Sequence, residues 1–367
     1  MNTDTSQQLQ QQIQRAYEKS SAGQSSTLCI VGGNSKHFYG HPVPAETLDI
    51  SGHRGVLSYE PTELVITARA GTPLTDIEKL LDQHGQMLPF EPPAFGDNAT
   101  IGGTIACNLS GPRRAYSGAA RDFLLGCKII NGKGEILSFG GEVMKNVAGY
   151  DVSRLMAGAI GTLGVLLEVS LKVLPKAELE MTQLLHGSSA EALARMHAWS
   201  QTPLPLSATS FHDSTLRVRL SGAAKAVKAA VQTIGGETMA DAEHYWQQLK
   251  EHQLDFFTPD KPLWRISLAS DNDSFAAESG HDDQDFLFEW GGALRWLKSD
   301  APAEVMQKAA AEVDGHAVLF RNSAQKHPIQ PGIFQPLTPG LLHIHKNLKQ
   351  AFDPANILNP GKLYPEL

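Results

Sequence analysis

The sequence predicts an α+β protein built from two domains. Its 367 residues are 41% hydrophobic and 19% charged, which is typical of a globular chain long enough for two hydrophobic cores. Strand-like and helix-like segments follow each other without a regular βαβ order. Glycine and tryptophan also divide the chain, because residues 1–175 hold 22 of the 33 glycines and none of the five tryptophans. We therefore place a domain boundary at Pro175.

The glycine-rich first half begins with an amphipathic helix at about residues 6–20, and a second helix starts at Pro73. Strands are predicted where β-branched and apolar residues alternate or run together. They cover residues 28–31, 47–50, 55–59, 63–69 and 164–174, and residues 122–139 form a hairpin around the turn NGKG.

The second half is predicted to form an antiparallel sheet with helices on one side, which is the simplest packing for its elements. A final helix at residues 341–352 and a Pro/Asn-rich tail at residues 353–367 follow it. The predicted strands are residues 210–220, 263–268, 286–296 and 317–321, and the predicted helices are residues 190–199, 223–234, 242–253 and 301–314.

Charge and cysteine content exclude several classes of protein. A formal net charge of −8 argues against nucleic acid as the main partner. Cys29, Cys107 and Cys127 form no CxxC pair, which argues against a four-cysteine metal site and against a disulfide framework. The longest apolar stretch, residues 155–167, is shorter than the roughly 20 residues of a membrane span, and no signal peptide is evident. We expect a cytoplasmic protein, with a peripheral position at the inner face of the cell membrane left open.

Three glycine-rich segments indicate backbone that meets a ligand. In VGGNSKHFYG (31–40), after a strand, glycines allow successive N–H groups to converge on an anion. In PPAFGDNATIGGTIACNLSG (92–111), Thr100 caps a predicted helix that opens with two glycines. MAGAIGTLGVLLEV (156–169) precedes a strand, so it is not the G-x-G-x-x-G fingerprint that opens a helix. Each segment alone also suits a tight turn, but the three together favour a diphosphate site.

In this order, the three segments resemble the two-part FAD-binding domain of the vanillyl-alcohol oxidase or PCMH type. The resemblance implies non-covalent FAD, with the first loop at its diphosphate, the second along the flavin and the third closing the site. It divides the chain into an FAD-binding domain (1–175), an α+β cap domain (176–335) and a helix and tail that return to the FAD domain (336–367). The implied cofactor-binding residues are Gly32, Gly33, Asn34, Ser35, Lys36, Pro93, Thr100, Ile101, Gly102, Gly103, Ala106, Gly161, Gly164, Val165 and Asn359.

Longer segments narrow the resemblance to one family. GQMLPFEPP (85–93), FGGEVMKNVAGYDVSRLMAGAIGTLGVL (139–166) and WGGALRWLK (290–298) are similar to the FAD-binding E subunit of glycolate oxidase, and the similarity covers nearly the whole chain. Such subunits act with a homologous catalytic flavoprotein subunit and an iron–sulfur subunit to oxidise glycolate to glyoxylate. The resemblance therefore implies these two partners and a small 2-hydroxy acid handled by the complex.

The sequence departs from the wider class of related flavoproteins in one feature that bears on mechanism. The catalytic members of that class carry an H-x-x-G-D-G-N-x-H-like metal and substrate motif and an E-H-G-like motif downstream. This sequence has neither motif. We therefore expect no metal site of that kind, and a subunit whose flavin carries electrons or is structural. Two alternatives stay open: a self-sufficient FAD-dependent 2-hydroxy-acid dehydrogenase, and an assembly module with a vestigial flavin site.

Catalytic residues are not evident from the sequence. Arg265 and Arg295 are candidates because arginine can clamp a carboxylate with two hydrogen bonds, although packing on Trp264 or Trp296, or an internal ion pair, is the favoured explanation for each. Tyr150 could supply a hydroxyl near the flavin or be a buried structural residue. Lys145 and Asn146 suggest a site wall beside it.

Other polar residues have structural explanations. His343 and His345 would share a face only on a strand, and we predict a helix there, so we do not expect them to bind a metal. Cys107 is interpreted as a helix-core residue. His37 lies beyond the loop position where covalently linked relatives place a histidine. Arg113, Arg114 and Arg121 form a basic patch near the glycine segments that could bind an FAD phosphate or an acidic partner, or simply be a solvated loop.

Overall fold

A computed structural model describes residues 2–141, 150–272, 275–322 and 332–367. The chain forms two compact units. The first comprises Met1–Ser110, Ala119–Pro175 and Leu337–Leu367, and the second comprises Gly111–Gly118 and Lys176–Pro336. The chain thus enters the second unit after Pro175, but the short segment Gly111–Gly118 also belongs to that unit, which the sequence does not indicate.

The strands, in chain order, are β1 (Leu28–Val31), β2 (Glu46–Asp49), β3 (Val56–Glu60), β4 (Val65–Arg69), β5 (Gln86–Met87), β6 (Leu124–Ile130), β7 (Ile136–Gly140), β8 (Val165–Lys172), β9 (Leu174–Pro175), β10 (Leu179–His186), β11 (Leu206–His212), β12 (Thr215–Gly222), β13 (Glu237–Thr238), β14 (Leu263–Ser267), β15 (Phe286–Glu289), β16 (Leu294–Lys298) and β17 (His316–Arg321).

The α-helices, in chain order, are α1 (Ser6–Ser21), α2 (Leu74–Gln83), α3 (Ile101–Cys107), α4 (Arg114–Ser117), α5 (Val152–Met156), α6 (Ser189–Ser200), α7 (Ala224–Ile234), α8 (Ala242–Lys250), α9 (Phe275–Ser279), α10 (Ala303–Glu312) and α11 (Pro339–Phe352). Among the described segments, no helix is long and apolar enough to cross a lipid bilayer.

The first unit is organised around a five-stranded antiparallel sheet with the order β3-β4-β8-β6-β7. The central strand β8 is buried on both faces, which explains its nearly continuous apolar sequence. A separate parallel pair joins β1 to β2. Helix α2 buries Leu74, Ile77 and Leu81, spaced three and four residues apart, on one face. These elements share one hydrophobic core with α1, α3 and the C-terminal segment.

The second unit contains an eight-stranded antiparallel sheet with the order β13-β10-β12-β11-β15-β16-β14-β17. Helix α7 packs on β10 and β12, and α10 packs on β17. The buried face of α7 consists of Val227, Ala230 and Ile234 at helical spacing. The α+β class predicted from the sequence is confirmed.

Two strand predictions in this unit were wrong because each interpreted a hairpin as a single strand. Residues 210–220 contain the turn Asp213–Ser214, where both residues have positive φ, so β11 and β12 pair with each other. Residues 286–296 are interrupted at Trp290, which also has positive φ, so β15 pairs with β16. The turn of the first hairpin lacks the usual Asn-Gly or Gly-Gly signal for positive φ, whereas the second contains Gly291-Gly292, a signal that the sequence interpretation overlooked. Strand β10 was also missed.

Candidate functional site

The loop after β1 presents backbone donors. Asn34 adopts the left-handed conformation (φ 59°), and Gly33 lies so close to Asn98 that a Cβ would overlap the Asn98 carbonyl group. The side-chain amide of Asn98 donates to the carbonyl oxygen of Gly33, which fixes the loop from behind. Among the described residues, no acceptor meets the N–H groups of residues 32–35. Such a run of open amides is a ready anion-binding concavity.

The start of α3 is built differently. The Thr100 hydroxyl accepts from the N–H of Gly103 at 3.2 Å, and the N–H groups of Ile101 and Gly102 donate to carbonyl oxygens of the preceding segment at 2.9 and 2.8 Å. A Cβ on Gly102 would lie 2.5 Å from the Ala70 Cβ. The amides at this helix start are therefore already hydrogen-bonded, and Gly102 packs closely on Ala70. The prediction that this segment meets a ligand thus concerns its surface along the cavity, not free N–H donors.

The third glycine segment forms a strained turn. Ile160 has a φ of 47°, which is unfavourable for a β-branched side chain and costs about 1–3 kcal/mol. Its N–H donates to the Ala106 carbonyl oxygen at 3.0 Å, and its carbonyl oxygen accepts from Asn359 Nδ2 at 2.7 Å. A Cβ on Gly161 would lie 2.8 Å from the same Asn359 nitrogen. The turn is thus held between α3 and the C-terminal segment.

The C-terminal segment fastens this turn to β1. Asn359 Oδ1 accepts from the N–H of Ile30 at 2.8 Å, while the buried Lys349 Nζ donates to Thr162 O at 2.8 Å and to the Asp353 carboxylate at 2.7 Å. Asp353 in turn accepts from two backbone N–H groups of residues 357 and 358 at 3.1 and 2.8 Å. Helix α11 and the tail therefore position two walls of one site.

These walls enclose a cavity of about 320 Å³, which falls at the lower end of the range for small-molecule sites. Twelve of the fifteen predicted cofactor residues line it. They are Gly32, Gly33, Asn34, Ser35, Lys36, Thr100, Gly102, Gly103, Ala106, Gly161, Gly164 and Asn359. The other three lie elsewhere: Pro93 is buried in a loop, Ile101 lies in the core and Val165 lies in the buried strand β8.

Two lysines give the cavity positive charge. Lys36 is 8% exposed, and its Nζ donates to the Ala94 carbonyl oxygen at 3.2 Å. Lys362 also lines the cavity, and burial lowers its pKa, an effect that the nearby thiols of Cys107 and Cys29 oppose. Burial raises the pKa of the Cys107 thiol, so Cys107 lines the wall as a neutral, apolar group, and Cys29 lies on the same wall.

Several lining residues were missed from the sequence. Lys362 belongs to the tail motif NPGK, which could have identified it. Cys107 was interpreted as a helix-core residue, but it stands at the end of α3 and lines the cavity. The apolar lining carries no sequence signal that separates it from the core. It consists of Ile30, Val31, Pro42, Val43, Ile50, Met156, Ile160 and Leu166.

The candidate catalytic residues do not line this cavity. Arg295 is fully buried, donates to the Gly292 carbonyl oxygen at 3.4 Å and lies over the Phe288 ring, so its interpretation as a substrate clamp was wrong. Arg265 is half-buried, with its guanidinium carbon 5.1 Å from the Trp290 ring centroid. Tyr150 is 98% exposed, so it is neither a buried structural residue nor part of the cavity.

The histidine, metal-site and site-wall predictions remain to be compared with the structure. His343 and His345 lie on the helix α11, as predicted. Within the described ranges, no group of three or more His, Cys, Asp or Glu residues could hold a metal ion. Lys145 and Asn146 lie outside the described residues.

The cavity fits FAD in its chemistry. Open amides and two lysines suit a diphosphate, and the aliphatic lining suits a flat aromatic ring system. Residues 4–140 match a family model described as an FAD binding domain, and residues 334–363 match one described as the C-terminal domain of FAD linked oxidases. The prediction of FAD as the cofactor is thereby confirmed.

Curated relatives extend the match beyond this domain. The chain is 47% identical over 364 residues to the glycolate oxidase subunit GlcE of Escherichia coli K12, covering 99% of each chain. It is 33% identical over 140 residues to the glycolate oxidase subunit GlcD of Bacillus subtilis, covering 38% of this chain and 30% of that one. A D-2-hydroxyglutarate dehydrogenase of Xanthomonas citri is 31% identical over 48% of this chain and 37% of its own.

Solved structures match in fold. A p-cresol methylhydroxylase aligns with a TM-score of 0.73 at 15% identity, covering 100% of this chain and 88% of that one. An alkyldihydroxyacetonephosphate synthase aligns with a TM-score of 0.66 at 14% identity, covering 98% and 75%. These similarities establish the fold alone.

Proposed function

The chain belongs to the family of GlcE subunits of glycolate oxidase, with FAD as its cofactor, and on that premise we propose that it is the FAD-binding subunit of a heteromeric enzyme that oxidises glycolate to glyoxylate. The observation that carries the proposal is the run of unpaired N–H groups at residues 32–35, placed beside two lysines on one cavity wall. Open backbone donors and positive charge gathered at one cavity wall are more readily explained by a bound anion than by a vestigial site.

Different residues of the cavity would bind different parts of FAD. The amides of residues 32–35 would hold the diphosphate, and Lys36 and Lys362 would neutralise its charge. The glycines of α3 and of the turn at Gly161 let the walls of the cavity pack closely, and its aliphatic side chains would lie against a flat ring. When bound, FAD supplies an acceptor and donor of electrons.

We place substrate oxidation in a homologous flavoprotein partner and onward electron transfer in an iron–sulfur partner. Three features support this division. The sequence lacks the histidine-rich metal and substrate motif, Arg295 is buried, and Tyr150 lies outside the cavity. The name of the E. coli relative describes a subunit, which supports a heteromeric assembly. We propose that the complex is cytoplasmic and sits at the inner face of the membrane through its partners.

Anaerobic flavin reduction tests the proposal. We expect the purified chain to be yellow and to release its FAD on acid precipitation. Glycolate should leave the flavin absorbance near about 450 nm unchanged in the isolated chain and bleach it in the reconstituted complex. Bleaching in the isolated chain would instead establish a self-sufficient dehydrogenase. A colourless chain whose thermal midpoint ignores added FAD would establish a vestigial site, since FAD at about 100 times its Kd stabilises by about 2.7 kcal/mol.

A further inference from the structure

A second cavity, of about 230 Å³, lies in the first unit and shares a wall with the cofactor cavity. The wall is the segment 156–164, whose residues alternate between the two spaces. Met156, Ile160, Gly161 and Gly164 line the cofactor cavity, and Ala157, Gly158, Ala159, Thr162 and Leu163 line the second one. No role assigned above uses this second space.

The lining of the second cavity is amphipathic. Five leucines supply an apolar surface, and basic side chains from three elements stand around it. No Asp or Glu side chain occurs among the described residues that line it. The leucines are Leu155, Leu163, Leu348, Leu363 and Leu367, and the basic residues are Arg121, Arg154, His345 and Lys349.

The basic residues around this second cavity differ in how many of their N–H groups already have a hydrogen-bond or ion-pair partner. Lys349 uses all three of its N–H bonds, on Thr162 O, Leu358 O and the Asp353 carboxylate. Arg154 pairs with Asp151 at 3.2 Å, but both side chains are 46% exposed, and such surface pairs contribute about 0–1 kcal/mol. The Arg121 guanidinium has no partner within the part of the chain that the structure describes.

His345 adds a further polar group. Its Nδ1 lies 2.8 Å from the Leu341 carbonyl oxygen, so Nδ1 carries the proton and donates, and Nε2 is left for another partner. The cavity therefore offers two exposed guanidinium groups, one without a partner among the described residues and one weakly paired, next to aliphatic carbon. A ligand that suits both has one negative, planar headgroup and a short apolar chain, whereas His345 Nε2 would take a hydrogen-bond donor such as water.

We propose that this cavity is a binding site for a small monocarboxylate, with the carboxylate at Arg121 and Arg154 and the hydrocarbon chain against the leucines. The shared wall makes it an effector site for the cofactor cavity. The carbonyl groups of Ile160 and Thr162 are held by Asn359 and Lys349, and Ile160 is kept in a strained conformation. A ligand that packs on Thr162 changes the energy of this turn, and by linkage FAD changes the affinity for that ligand equally.

The experiment uses the FAD-loaded full chain and hexanoate as the probe. Calorimetry should give a Kd of about 1 mM or lower. R121Q and R154Q should each weaken hexanoate binding by about tenfold, whereas R15Q, which changes an exposed arginine of α1, should not. 1-Hexanol has the same chain without the charge and should bind at least about tenfold more weakly. In the flavin absorption spectrum, hexanoate should produce a difference band that R121Q removes.

Two results would overturn the inference. The first is the absence of heat and of a difference band at about 10 mM hexanoate. The second is equal affinity in wild type, R121Q and R154Q, which would assign any binding to another surface. Arg121 and Arg154 are exposed, so these variants should fold, and circular dichroism checks it. The measurement does not involve glycolate, so its outcome is independent of which subunit oxidises the substrate.

Discussion

The two units use their cations in opposite ways. In the first unit, Lys36 and Lys362 border the cofactor cavity. In the second unit, arginines lie over aromatic rings, with guanidinium carbons 4.4–5.1 Å from the ring centroids. The pairs are Arg114 and Arg265 with Trp290, Arg217 with Tyr245, Arg219 with Trp246, and Arg295 with Phe288.

This difference bears on how the two arginine candidates of the second unit, Arg265 and Arg295, are interpreted. An arginine stacked on a ring and bonded to carbonyl oxygens contributes to stability, at about 0.5–2 kcal/mol for each cation–π contact. Lys36 also donates to a carbonyl oxygen and lies 5.9 Å from the Phe95 ring centroid, but it lines the cavity beside the open amides of residues 32–35. The lysines that line the cofactor cavity therefore suit ligand binding, whereas the stacked arginines of the second unit suit packing. Predictions that separate stability from cofactor binding test this contrast.

The largest change in the free energy of unfolding is expected at Lys349. Unlike the lysines that line the cofactor cavity, its buried ammonium has a structural role. K349M leaves the Asp353 carboxylate buried without its cation, which should lower the free energy of unfolding by about 3–5 kcal/mol. Urea titration with flavin fluorescence as the probe measures it. Tryptophan fluorescence monitors the second unit alone, because all five tryptophans lie there, and its midpoint should move less.

K346M is the matched control, since Lys346 lies on the same helix and is exposed. It should change the unfolding free energy by less than about 0.5 kcal/mol. A K349M protein as stable as K346M would mean that the buried pair contributes nothing. Equal shifts of the flavin and tryptophan transitions would mean that the two units unfold together.

Much of the first unit could be predicted because its signals are local. Pro73 at the start of α2 and the apolar run of β8 each specify an element through a few neighbouring residues. The glycine segments identified most of the cavity because open or closely packed backbone requires glycine wherever it occurs. The aliphatic lining was not predictable, since an isoleucine facing a ligand and one facing the core look alike in sequence.

The errors came from tertiary context. Trp290 at positive φ is stabilised by its Nε1 donating to the Gly111 carbonyl oxygen, 179 positions away, a contact that the neighbouring residues do not indicate. The occupied amides at the start of α3 depend on carbonyl groups of Ala70 and Thr72, which only the folded chain brings near. Arg295 likewise became a packing residue through carbonyl acceptors and the Phe288 ring.

The next largest effect is expected at Gly33. G33A places a Cβ against the Asn98 carbonyl group, so the loop must move and its amides no longer converge. We expect FAD to bind about 100-fold more weakly, the loss of roughly two charge-assisted hydrogen bonds, as measured by quenching of flavin fluorescence. G52A is the control, because a Cβ there meets nothing within 4 Å. Equal affinities in the two variants would remove the first loop from the site.

A smaller effect is expected at Lys362. K362Q keeps most of the side-chain volume but removes the positive charge from the cavity wall, so the Kd for FAD should rise by about 10-fold. K79Q, on the exposed face of α2, should leave the Kd unchanged. The free energy of unfolding of the apoprotein should differ little between these variants. If K362Q destabilised the apoprotein without changing the Kd, this lysine would resemble the arginines of the second unit.

The smallest expected effect is the pH dependence of the stability of the second unit. The ring of His252 stacks on Phe257 at 4.0 Å between centroids, and burial, assisted by Arg321 and Arg265, lowers its pKa well below the ordinary 6.5. The unfolded chain takes up this proton near pH 6.5 and the folded chain does not. Stability is therefore complete above pH 6.5 and falls below it, at up to about 1.4 kcal/mol per pH unit for one proton.

H252F keeps an aromatic ring in the stack and cannot take up a proton. Its urea midpoint, followed by tryptophan fluorescence at pH 6.5 and 5.5, should fall less between the two values than that of the wild type. His212, whose pKa burial also lowers, leaves a residual slope in both proteins. The same fall in both would show that the aromatic cluster tolerates a charged ring at His252. It would also weaken the view that the aromatic clusters of the second unit are stabilised by stacked arginines in particular.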